Sequence, residues 1–150
     1  MNQITDVTII SNNLNKNIFS EYDDYLIIDN NFSYGELLEK KRVIFYNVLN
    51  NLNKEELDKL FTYLKDNKIL FINATNDIEL CLYTKFLKVY DNNTLVLDGL
   101  TLAVLKNEKI LKRLGVHLPF IVDLSILLKD YGMIDELCIN KERIVDLLWK

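Results

Sequence analysis

Hydrophobic and polar positions change period several times along this chain. Ile4–Ser11 (ITDVTIIS) is rich in β-branched residues and predicts a strand. Tyr25–Ile28 (YLII) and Val43–Tyr46 (VIFY) are continuous apolar runs, as in strands buried on both faces. Leu37–Lys41 begins a short helix between them. In Lys54–Asn67, Leu57, Leu60, Phe61 and Leu64 recur at helical spacing and share one face. Asn53 is a suitable N-cap, and Glu56 three residues later completes a capping box. Lys68–Ala74 (KILFINA) follows as another buried strand. Strand, helix and strand in that order predict a βαβ unit in a parallel sheet.

The pattern then shifts. Ile78–Tyr83 is helical in character. Phe86–Tyr90 and Thr94–Asp98 flank Asp91-Asn92-Asn93, which signals a hairpin. From Leu100 the chain reads as helix. Pro119 suits the first turn of a helix running to Tyr131, with Gly132 as its stop. Phe120, Leu124, Leu127, Leu128 and Tyr131 share one stripe. Lys141–Trp149 predicts a last helix with Ile144, Leu147 and Leu148 inward. The whole is one α/β domain, with a core over residues 1–99 and a helical extension over 100–150.

Composition narrows the function. The 150 residues are 49% hydrophobic and 27% charged, with net charge −4 and no block of Lys and Arg. Nucleic acid is therefore not the expected partner, since phosphate binding needs concentrated positive charge. Two cysteines, Cys81 and Cys138, and one histidine, His117, leave no Cys/His metal site. The cysteines read as buried thiols of a reducing cytosol, with a disulfide between them left open. His117 has no orienting partner in the sequence, and no Ser/His/Asp or Cys/His arrangement supports a hydrolase. Asp23, Asp24 and Asp29 cluster, but as solvated turn residues flanking a strand. Trp149 suits either an anchor for the last helix or a partner surface. No targeting segment and no membrane-length apolar run is visible, so the expectation is a cytoplasmic protein without membrane insertion.

Taken in order, the segments resemble an ATP-binding-cassette ATPase, closest to the ATPase subunit of energy-coupling-factor (cobalt-type) importers. The stretches ILFINATNDIE, FLKVYDNNTLVLDG and LKNEKILKRLGVHLPFIVDLSILLKDYG follow that family's switch strand, its strand pair, its short helix, its L-P-F step and its long apolar helix. The resemblance implies a P-loop-NTPase-like, mostly parallel sheet with flanking helices, N-terminal β elements and a helical C-terminal region. It places the phosphate loop on Asp29–Glu36 and the Walker B strand and D-loop on RVIFYNVLNNLNKEEL. The family's helical subdomain, with its signature sequence, falls between them. Here only about Glu36–Lys41 joins the two.

On this correspondence the chemistry is replaced. A phosphate loop needs glycines, a lysine for the β and γ phosphates and a hydroxyl for Mg²⁺. Its fixed positions hold Asp29, Tyr34, Gly35 and Glu36, and Phe32 also lies in the loop. Tyr46 and Asn47 stand for the Mg²⁺ aspartate and the catalytic glutamate. Asn53 stands for the D-loop aspartate and Asn76 for the switch histidine. The resemblance thus implies no catalysis and no cofactor. Two functions stay open. One is contact with a protein partner, an ATPase subunit or a second copy, through the degenerate site or through Pro119–Trp149. The other is a small-ligand or nucleotide site in the remodelled pocket, with Phe32 and Tyr34 stacking a planar group.

Overall fold

The computed structural model describes residues 5–149. Six strands form one sheet: β1 (Val7–Ser11), β2 (Leu26–Ile28), β3 (Arg42–Tyr46), β4 (Leu70–Ala74), β5 (Phe86–Asp91) and β6 (Thr94–Leu100). Their order is β2-β3-β4-β1-β5-β6. Every pairing is parallel except the β5–β6 hairpin. The expected mostly parallel sheet is therefore present. Ile4 of the first predicted strand lies outside the described residues. Tyr25–Ile28 was expected to be buried on both faces, but β2 is a three-residue edge strand and only Ile28 is fully buried.

Helices follow from local chemistry. In α1 (Tyr34–Lys40), Ser33 caps the N-terminus by accepting from the Glu36 N–H. This helix begins three residues before the sequence pattern places it. In α2 (Lys54–Asp66), the capping box forms as expected: Asn53 accepts from Glu56 N–H and Glu56 accepts from Asn53 N–H. Leu57, Leu60, Phe61 and Leu64 then pack on Val43, Phe45 and Phe71 of the sheet. Strand alternation sends Ile44, Ile72 and Ile9 to the other face. There they meet Ile18 and Phe19 from a 3₁₀ turn, Lys16–Phe19.

The C-terminal helices are α3 (Thr101–Leu105), α4 (Glu108–Arg113), α5 (Phe120–Asp130) and α6 (Lys141–Leu148). Leu105, Leu111 and Val122 join Ile10, Leu87 and Val89 in one cluster, so this region is built onto the sheet. α5 does not bury its apolar stripe. Val122 and Ser125 are its fully buried residues, whereas Phe120, Leu127 and Tyr131 of the stripe are 70%, 51% and 75% exposed. In α6, Ile144 is buried, Leu147 is half-buried, and Leu148 lies outside.

Candidate functional site

Parallel sheets collect functional loops at the carboxyl ends of their strands. Here the loops after β1, β2, β3 and β4 meet there. The β1 loop, Asn12–Asn15, is bound on two sides. Toward the β5–β6 turn, Ser11 Oγ donates to Asn92 C=O, Asn12 Oδ1 accepts from Asn92 N–H, and Asn12 Nδ2 donates to Asp91. Toward β3, the Tyr46 hydroxyl donates to Leu14 C=O at 3.1 Å. Lys16 follows this loop. Its ammonium lies 5.7 Å from the Tyr46 ring centre and 2.7 Å from Asp29 Oδ2. The Asp29 hydrogen bond holds the Lys16 pKa above its ordinary value, and the same bond holds the Asp29 carboxyl below its own.

Asn47 and Asn76, at the ends of β3 and β4, lie in one amide network. Asn50 Nδ2 donates to Asn47 Oδ1 at 3.1 Å and to Asn76 Oδ1 at 2.9 Å. Asn47 Oδ1 also accepts from the Asn76 N–H, and Asn50 Oδ1 accepts from Thr75 Oγ1 at 2.5 Å. Asn47 itself takes a left-handed backbone, φ 54°, which asparagine tolerates better than most residues. Every group in the network is neutral.

The remaining sequence candidates separate. Asp29 and Phe32 lie in the β2–α1 loop as expected. Tyr34, Gly35 and Glu36 do not, because the Ser33 cap draws them into the first turn of α1. Phe32 packs on Phe45 and Tyr34 on Tyr63, with ring centres 5.3 and 4.6 Å apart. Between this loop and the start of α2 is an open cavity of about 670 Å³ that Phe32, Tyr34, Asn47, Asn51 and Lys59 help to line. Asn53 is occupied as the α2 cap. Asp24 pairs with Arg42 and Asp29 with Lys16, so the aspartate cluster is divided between two cations. Among the described residues no His, Cys, Asp and Glu group could hold a metal ion. Cys81 and Cys138 are both free and buried. His117 borders a small crevice of about 310 Å³ with Ser11, Asn12 and Asn76. Trp149 is 85% exposed.

Sequence reading missed Lys16, Asn50 and Thr75. Lys16 had a signal, a single cation in the polar run Asn12-Asn13-Leu14-Asn15-Lys16-Asn17 directly after a strand. Asn50 and Thr75 had none, since their role exists only where two loops meet.

Comparison with known proteins bears on this arrangement. The energy-coupling factor transporter ATP-binding protein EcfA1 of Lactobacillus delbrueckii subsp. bulgaricus is 30% identical over 123 residues, covering 77% of this chain and 43% of that protein. A putative ABC transporter ATP-binding protein of Pyrococcus horikoshii is 28% identical over 102 residues, covering 67% of this chain and 36% of its own. The chain's relatives are ATP-binding proteins of ABC transporters. The chain spans less than half the length of these relatives. No family model matches it. The solved structure of cbiO1 from Clostridium perfringens, part of the ABC transporter complex cbiONQ, aligns at TM-score 0.41 and 18% identity, over 64% of this chain and 38% of that one. Between β2 and β3, where the resemblance expects a helical subdomain, this chain has only α1 and its flanking loop. Among the described residues no helix is long and apolar enough to cross a membrane.

Proposed function

We propose that this chain is a non-catalytic ATP-binding-cassette-like domain that works by contact with other proteins. The supporting observation is the Asn47–Asn50–Asn76 network. It stands where the relationship expects a catalytic carboxylate and a phosphate-sensing histidine. Amides take no proton from an attacking water, and both carbonyl oxygens of Asn47 and Asn76 are already used by Asn50.

The phosphate-loop remnant is better placed on Ile10–Asn17 than on Asp29–Glu36. β1 is a central strand between two parallel neighbours, whereas β2 is an edge. The frame G-x-x-x-x-G-K-[ST] laid on Ile10–Asn17 puts its lysine on Lys16 and its second glycine on Asn15. This loop is unsuited to polyphosphate. Its amides are turned to its own side chains: Asn13 N–H donates to Ser11 Oγ and Asn17 N–H to Asn15 Oδ1. None of its residues has the positive φ that an anion nest uses. Lys16 is held by Asp29, a carboxylate where phosphate would be.

What is left to act is surface. The partner is a transporter ATPase subunit or a second copy, and through it the chain would sit in the cytoplasm at a membrane. Purified protein with ATP and Mg²⁺ should release no phosphate above a blank, and Lys16→Ala should change nothing. Mg²⁺-dependent hydrolysis that Lys16→Ala removes would sink the proposal. Affinity capture from the native cytosol should recover an ATPase subunit or the chain itself; recovery of neither counts against protein contact.

A further inference from the structure

The packing of α5 leaves a seam uncovered. Phe120, Leu124, Leu127 and Tyr131 follow one another at spacings of four, three and four, and so line one side of the helix over roughly 16 Å. Leu124 leans on the α6 cluster, while the other three are exposed by half or more. This 4–3–4 spacing is that of a helix–helix seam. Asp123 and Asp130 border the open side of the seam, and both are exposed. Ile121 and Leu128 border the other side and pack on the protein's own core. Lys129 falls on the opposite side of the helix. The seam is thus apolar with an acidic edge.

These charges argue against a second copy. Two α5 seams packed antiparallel would set Asp123 against Asp130 of the other copy. Packed parallel, they would set each Asp123 against an apolar Leu128. Like charges across a helix seam are unfavourable, and a carboxylate against leucine loses its water without a partner. We infer that the α5 seam receives an amphipathic helix of another protein, with apolar residues at matching 4–3–4 spacing and Lys or Arg beside them. The inference rests on the protein-contact reading above and names the chemistry of one partner. The same acidic edge disfavours an anionic membrane.

The test uses the full chain and two labelled synthetic helical peptides of about eighteen residues. Both carry a leucine seam. One has lysines flanking it and the other glutamates. Fluorescence anisotropy should show saturable binding of the lysine peptide, at least about tenfold tighter than the glutamate peptide, with the gap narrowing as salt rises. Leu127→Asp, an exposed substitution whose folding circular dichroism confirms, should weaken the lysine peptide by about tenfold or more. The double change Asp123→Lys with Asp130→Lys touches no core residue and should reverse the preference. Equal binding of the two peptides, or binding of neither, overturns the inference. So does self-association in sedimentation that Leu127→Asp abolishes, or co-sedimentation with phosphatidylserine vesicles. None of these outcomes affects the phosphate-release result, so a failed seam and a failed non-catalytic reading remain distinguishable.

Discussion

Asn73 is fully buried on β4, and neither polar atom of its side chain has a hydrogen-bond partner among the described residues. An unpaired buried amide costs free energy, so Asn73→Val should raise stability by about 1 kcal/mol. The urea midpoint should move up; a downward shift would show that the amide makes a compensating contact. Cys81 gives a second residue-scale test. Burial pushes its thiol up from the ordinary 9.0 to about 12, with Glu79 and Asp77 adding to the effect. The unfolded thiol therefore ionises first. Stability should hold below pH 9 and decline as pH rises from there toward 12. Burial of Tyr22 raises its hydroxyl from 10.0 to about 12 and acts in the same direction. Urea titrations across this range should show the decline, and Cys81→Ala should reduce it. At this scale the sequence was least legible. Lys16 stands in a run of asparagines, and its pairing with Asp29 exists only where two loops meet. The amide network depends on Asn47, Asn50 and Asn76 arriving from two different loops.

Elements were largely readable because their signals are local. The α2 stripe and its Asn53–Glu56 box both form, since each needs only its own turn of helix. Asn53→Ala should cost about 1 kcal/mol, read from urea unfolding. Leu60→Ala, which empties a buried site under the same helix, should cost about 3 kcal/mol. Which face α5 buries has a physical cause that is not in the apolar pattern. Phe120, Ile121, Val122, Leu124, Ile126, Leu127 and Leu128 surround the helix, so periodicity alone selects no face. The deciding residue is polar. Ser125 Oγ donates to Val122 C=O and accepts from Cys138 N–H, which turns the serine inward and sends Leu127 out. The start of α1 was misplaced because a single serine cap outweighs the weak apolar pattern of Tyr34–Lys40.

At the scale of the whole molecule, stability should be graded across the sheet. β1, β3 and β4 are flanked by strands on both sides, β5 has the edge strand β6 as one neighbour, and β6 is an exposed edge. The register step opposite Val89 and Tyr90 leaves Val96 as an extra residue in that edge. Hydrogen exchange should therefore be slowest in β1, β3 and β4 and fastest in β6 and α6. Equal protection of β6 and β3 would contradict this. Alternating strand and helix signals along the chain reveal the fold class. They do not reveal strand order, which depends on which runs lie side by side in space. That order also governs how the chain is made. Of the six strands β1 is made first, yet Val7 takes its places beside Ile72 and Phe86. The β-branched run Val7–Ser11 waits unpaired until β4 follows it. Until β5 emerges the nascent chain holds a sticky N-terminal segment with no native neighbour on one side. Such a chain is open to aggregation and to chaperone capture during that interval. Fragments ending before Phe86 should remain in that state, because β1 gains its second neighbour only from the fifth of the six strands.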